Sequence, residues 1–270
     1  EINFAGGGEL DNGLTVALAF QLDEGSASGN GTSPLFDNHS VTISSDALGS
    51  FSLSGHGGSS AASALDTTAA GDIFDNFDAT ASIAATEVFN GSKAGNNIMK
   101  YTLPSMVDGL SVAVSYQAGG NANAGSSSST AYGATYTGVE GLTVSYGVGD
   151  DNDTAADERE VSTMSASYAY GSFTLSMSES ENDATTASTD QKLKSMAVSY
   201  TITDDLSVTY GEETFENAAD AVDPEYSSFK VAYTSGGMTI TAGTQSAENA
   251  DGTATDKDVD YNYLTLGFAF

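Results

Sequence analysis

Along most of this chain, bulky apolar residues alternate with small polar ones. In Leu110-Ser111-Val112-Ala113-Val114-Ser115-Tyr116, one set of alternate positions reads Leu, Val, Val, Tyr and the other reads Ser, Ala, Ser. Successive side chains of a strand point to opposite faces, so the run predicts a strand with one bulky apolar face and one small polar face. The pattern recurs behind a turn residue, as Gly13-Leu14-Thr15-Val16, Ser50-Phe51-Ser52-Leu53, Gly109-Leu110-Ser111-Val112 and Gly141-Leu142-Thr143-Val144. It continues as Ser172-Phe173-Thr174-Leu175, Asp205-Leu206-Ser207-Val208 and Gly237-Met238-Thr239-Ile240. The leading apolar residues are spaced by 37, 59, 32, 31, 33 and 32 positions. Such a period has to be explained before any single motif is read.

The alternation predicts fifteen strands, at 1–9, 14–22, 38–45, 50–56, 97–103, 109–117, 130–137, 141–149, 158–170, 171–180, 192–201, 205–213, 225–234, 237–246 and 259–270. A soluble sandwich would bury its bulky face and show charge on the other. Here the second face is Ser, Thr, Ala and Gly, the weak but repeated signature of a membrane barrel with its apolar side outward and its polar side toward water. Short and long connections alternate, beginning with the short Asp11-Asn12-Gly13. In bacterial barrels short turns face the periplasm and long loops face outside. The first run therefore starts on the outer side, and parity calls for an upstream sixteenth strand. The expected fold is all-β: a transmembrane antiparallel β-barrel of sixteen strands, a size that holds an aqueous channel.

Composition agrees. Only three prolines occur, Pro34, Pro104 and Pro224, all between apolar runs, where a missing N–H removes nothing from a ladder. The absence of cysteine excludes a disulfide framework and any cysteine-based metal or redox centre. No run of about 18 apolar residues could form a transmembrane helix. No positively charged segment followed by an apolar one marks a leader, so any leader is expected to have been removed or left out of this sequence. Seven basic against 37 acidic side chains give a net charge of −30. This excludes nucleic-acid binding through a basic surface. It suits an acidic vestibule that concentrates cations, or a surface solvated in salt water.

The C-terminal run Tyr261-Asn262-Tyr263-Leu264-Thr265-Leu266-Gly267-Phe268-Ala269-Phe270 ends in Phe, with Phe268, Leu266 and Leu264 alternating back from it. It resembles the terminal signature of outer-membrane β-barrels. The segment from Ile2 to Glu24, with Asp46-Ala47-Leu48-Gly49-Ser50-Phe51, resembles hairpins of the general diffusion porins of alphaproteobacterial type. That resemblance implies the outer membrane of a Gram-negative bacterium, a homotrimer surrounded by membrane lipid and lipopolysaccharide, and a third long loop folded into each pore. It also implies a transverse field between an acidic loop and a basic wall.

The chain has its own candidate for that loop. The interval of 59 leaves residues 57–96 without a clean alternating pair, and structureless loops of this length are usually functional. Its acids are Asp66, Asp72, Asp75, Asp78 and Glu87, its one base is Lys93, and Phe74, Phe77, Val88 and Phe89 are candidate anchors. Strand phase turns Lys100, Arg159 and Lys230 toward the lumen as wall bases, or as partners of nearby acids. The expected outer loops (23–37, 57–96, 150–160, 179–191, 212–226 and 246–260) hold 29 of the 37 acids. Asp150-Asp151-Asn152-Asp153 offers oxygen ligands for loosely bound Ca²⁺ or Mg²⁺ but lacks EF-hand spacing. No other cofactor is expected. His39 and His56 read as ordinary polar residues, and no catalytic set or nucleotide fingerprint stands out.

The resulting expectation is a water-filled channel for passive diffusion of small hydrophilic solutes and ions, preferring cations. A substrate-selective channel would need an aromatic track or a dense ligand-specific set along the lumen; Tyr261 and Tyr263 face inward, but two residues do not make a track. A barrel enzyme would need an active-site group. A soluble acidic surface protein would come off without detergent.

Overall fold

The computed structural model describes residues 2–22, 36–65, 67–77, 96–119, 128–150, 159–185, 190–218, 220–250, 252 and 258–269. Fifteen strands appear where alternation predicts them: β1 (Ile2–Glu9), β2 (Thr15–Leu22), β3 (Phe36–Ser45), β4 (Gly49–His56), β5 (Ile98–Thr102), β6 (Leu110–Gln117), β7 (Ser129–Tyr136) and β8 (Leu142–Asp150), then β9 (Arg159–Tyr170), β10 (Phe173–Ala184), β11 (Gln191–Thr203), β12 (Leu206–Asn217), β13 (Glu225–Ser235), β14 (Met238–Glu248) and β15 (Val259–Phe268). Each pairs antiparallel with its sequence neighbours in one sheet ordered β1 to β15, the up-and-down topology of a membrane barrel. The expected sixteenth strand is not among the described residues.

The seven short turns explain the sequence period. Six of them carry a glycine at φ between 59° and 79° (Gly13, Gly49, Gly109, Gly141, Gly171 and Gly236), a backbone region that a Cβ disfavours. Above the turns the outward face stays apolar for three or four alternate positions, as in Phe173, Leu175 and Met177, or Ile202, Tyr200, Val198 and Met196. These side chains are exposed, Phe173 to 56% and Met177 to 51%. A soluble monomer does not display so much apolar surface; a hydrocarbon layer covers it.

Two departures from the predicted strands matter. β10 and β12 run four residues higher than expected, to Ala184 and Asn217. As a result β9–β14, at 11 to 13 residues each, stand as a tall wall beside β1–β8, at 5 to 10. Near their upper ends the outward face turns polar and the inward face gains Val161, Leu193, Phe215, Tyr226 and Ala247, which inverts the alternation that marks these strands lower down.

Candidate functional site

The segment after β4 crosses the inner face of the sheet. Ala61 N–H donates to Ser115 Oγ on β6 at 2.9 Å. Ala69 N–H donates to Ser178 Oγ on β10 at 2.9 Å, and Ala70 N–H to Ser195 Oγ on β11 at 2.8 Å. Glycines clear the track: a Cβ at Gly133 on β7 would lie 2.0 Å from the Ala61 carbonyl oxygen, and one at Gly211 on β12 would lie 2.7 Å from Ala70 Cβ. Only a bare backbone admits another backbone this closely. A single 3₁₀ turn, Phe74–Phe77, then seats Phe74 and Phe77 among Leu193, Phe215, Tyr226 and Ala247 on the tall wall. The Phe77 and Tyr226 rings are 5.8 Å apart. The expected aromatic anchors Phe74 and Phe77 thus sit on the inner wall.

One wall residue organises this landing. Glu213 on β12 is 1% exposed. One of its carboxylate oxygens accepts the Thr68 hydroxyl, and also the Ser195 hydroxyl at 3.3 Å. The other accepts Phe74 N–H at 3.1 Å. Thr68 Oγ1 in turn accepts the N–H groups of Gly71 at 3.1 Å and Asp72 at 2.8 Å, while Asp72 Oδ1 accepts Thr68 N–H at 2.9 Å. The reciprocal Thr68–Asp72 pair closes a turn in which Gly71 and Asp72 have φ of 88° and 55°. A buried carboxylate is tolerated only when its lone pairs are filled, and here the loop fills them. By sequence alone Glu213 falls in the expected outer loop 212–226 with Glu216 and Asp220. The structure corrects this: Glu213 lies beneath the loop on the inner wall.

Of the loop acids read from sequence, Asp72 is half-buried in that turn and Asp75 is exposed on the 3₁₀ turn. Asp66, Asp78 and Glu87, with Lys93, Val88 and Phe89, lie outside the described residues. Register puts Lys100, Arg159 and Lys230 on the same face of the sheet as Ser115, Ser178 and Ser195. Lys100 sits in register between Ser52 and Ser115, Arg159 opens β9 opposite Ala184, and Lys230 pairs across Thr209 and Gly243. The two histidines belong to the upper β3–β4 pair, His56 Nδ1 being 3.3 Å from Asn38 Oδ1. Asp150 ends β8; Asp151, Asn152 and Asp153 fall outside the described residues, among which no cluster of three or more His or acidic side chains is placed to hold a metal.

Register also redistributes the acids. Asp150, Glu160, Glu179, Glu181, Asp183, Glu212, Glu216, Glu225, Glu248 and Asp260 occupy outward positions at the upper strand ends. They form an acidic band along the outer face of β8–β15 instead of lining the mouth, with Lys192 paired to Glu179 at 2.9 Å and to Glu181 at 2.5 Å, and Lys194 paired to Glu216. Charge at these positions sets the upper limit of the hydrocarbon contact, since lipid-facing charge is costly. Inward strand positions of the described residues carry five charges, Glu9, Lys100, Arg159, Glu213 and Lys230. The bare wall is therefore net basic.

A meander of antiparallel strands, apolar outside and hydroxyl-rich inside, with a loop stitched across its inner face, defines an outer-membrane diffusion pore. Comparison gives the family. The model of Gram-negative porins matches residues 1–233, and the chain belongs to that family; it forms an outer-membrane channel and is not an enzyme. Among solved structures it is similar to the anion-selective porin from Comamonas acidovorans, with 16% identity and a TM-score of 0.66 over 99% of this chain and 88% of that one. It is also similar to OmpF of Salmonella typhi in complex with daunomycin, with 15% identity and a TM-score of 0.62 over 98% and 88% of the two chains. OmpT of Vibrio cholerae gives 14% identity and a TM-score of 0.61 over 98% and 87%. Comparison with curated proteins finds no significant match.

Proposed function

We propose that this porin is a cation-preferring general diffusion channel for small hydrophilic solutes and ions, and that it works as a homotrimer embedded in lipid and lipopolysaccharide. The preference is assigned to the loop 57–96 and its acids Asp66, Asp72, Asp75, Asp78 and Glu87, because the bare wall is basic. The observation that supports this reading is the exposed Asp75 on a 3₁₀ turn that the tall wall presents to the lumen. Lys100, on β5, lies eight strands from β13, about half the circumference of a barrel of roughly sixteen strands. Acid and base then face each other across the neck.

Two unit charges 4 Å apart interact by about 1 kcal/mol in bulk water and about 4 kcal/mol at an effective dielectric near 20, so a narrow neck weights its own charges above distant ones. The test is the reversal potential in a KCl gradient. K⁺ is favoured over Cl⁻, more so in dilute salt where screening is weak. Neutralising Asp72 and Asp75 together shifts the potential toward Cl⁻ more than neutralising Asp220 and Asp223 in an outer loop. A wild-type channel that prefers Cl⁻ refutes the preference; equal shifts remove the loop as its cause.

A further inference from the structure

Below the landing of the loop, the inner wall of β12–β15 carries a patch unlike the rest of the lumen. Tyr261 and Tyr263, two residues apart on β15, both face inward and stack, with ring centroids 5.9 Å apart and planes 20° from parallel. Register places Thr209, Lys230, Gly243 and Tyr263 in one row across four strands, and Gly211, Ser228, Gln245 and Tyr261 in the row above. The Tyr263 ring leans over Gly243, where a Cβ would stand 2.6 Å from ring atoms. The glycine leaves room for the ring to tilt toward Lys230, whose Cα lies two strand spacings away, about 10 Å.

Charge in this region is simple. At and below the level of Gly211, which the loop crosses, the inward positions of β12–β15 carry serine, threonine, alanine, glycine, glutamine and tyrosine, together with Lys230. Lys230 is their single charge and forms no ion pair with another described residue. The nearest inward acid on these strands, Glu213, is buried and occupied by the loop. A patch of two flat phenol faces, one ammonium and a field of hydroxyls, with no carboxylate among them, has a definite chemical complement. The flat faces take the apolar face of a ring. The ammonium takes one carboxylate, in a charge-assisted hydrogen bond stronger than a neutral one. The threonine and serine hydroxyls exchange hydrogen bonds with ring hydroxyls.

We propose that Lys230, Tyr261 and Tyr263 form a solute subsite for sugar acids, that is, a pyranose bearing one carboxylate. The subsite rests on the channel reading and gives the pore a preference among anions that its acidic loops otherwise repel. Because the loop lands directly above on Tyr226 and Ala247, a solute that passes the neck meets this patch next. Tyr226 and Lys230 are four residues apart on β13, about 14 Å along the strand.

The test uses the purified protein in planar bilayers, with glucuronate, glucose, acetate and benzoate as blockers of the KCl current. Glucose shares the ring without the charge, acetate the charge without the ring, and benzoate has a charge on an aromatic ring. For the wild type, glucuronate half-blocks at a concentration about ten-fold below the other three. Lys230→Gln raises its value to that of glucose, and Tyr261→Ala with Tyr263→Ala raises it to that of acetate. Tyr263→Phe keeps the ring and stays near wild type, which separates stacking from loss of fold. Wild-type migration of every variant on unheated gels, with the shift on boiling that marks a folded barrel, confirms that the barrel is intact. Equal block by all four solutes overturns the subsite while leaving the channel standing. So does a Lys230→Gln channel that still prefers glucuronate, and tighter block by benzoate overturns the sugar assignment. Absence of KCl conductance in the wild type overturns the channel reading itself.

Discussion

Replacing Glu213 by alanine tests whether one buried carboxylate holds the loop in the lumen. The change removes the acceptor of the Thr68 hydroxyl and of Phe74 N–H. Hydrogen bonds to a charged group contribute about 1.5–3 kcal/mol each, and a buried N–H left without an acceptor costs about 1–3 kcal/mol. Against this, alanine relieves the desolvation of a buried charge, which reaches several kcal/mol. The serine contacts at Ala61, Ala69 and Ala70 and the burial of Phe74 and Phe77 remain. We take about 2–3 kcal/mol as the net loss of anchoring, which at 1.4 kcal/mol per decade multiplies the lifted-loop population roughly 30- to 150-fold. Single-channel recording reads this directly, as bursts of larger conductance and greater open-state noise. Glu213→Gln keeps one acceptor and gives a smaller effect. If Glu213→Ala, folded and inserted normally, shows wild-type step sizes and noise, the carboxylate does not hold the loop and the reasoning fails.

Two further outcomes test the loop track and the outer surface. Gly133→Val drives a side chain into the Ala61 carbonyl; the loop lifts at its start, the Ser115 contact is lost, and protease cuts within 57–77 faster than in wild type, a result that an unchanged digestion pattern would contradict. Asp220, in an outer loop, has its pKa raised above the ordinary Asp range by burial and by the charge of Asp223. The folded loop therefore holds its proton to higher pH than the unfolded chain, so its local stability is greater at low pH and falls as pH rises from the ordinary Asp pKa through the raised one. Hydrogen exchange at Ala221, whose N–H bonds the Gly252 carbonyl at 2.9 Å, speeds up across that window; Asp220→Asn abolishes the dependence.

Much of this porin was legible in its sequence. Period-two alternation is a local property, so the number of strands, their phase and the inward placing of Lys100, Arg159, Lys230, Tyr261 and Tyr263 follow from neighbours along the chain. The long interval after β4 announced the loop, and its aromatic residues announced the anchors Phe74 and Phe77. What faces what across the lumen was not legible. Glu213 lies in the acidic stretch Glu212-Glu213-Thr214 and reads as loop; its meaning depends on Thr68, 145 positions away. Gly133 and Gly211 look like small lumen residues until a backbone is laid over them, and the acids of the upper strands look like a pore rim until register turns them outward. Side-chain phase is decided residue by residue, but loop contacts and the path of the field are decided by strands far apart in sequence and brought round one barrel. That is why the wall belonged to the sequence and the neck to the tertiary structure.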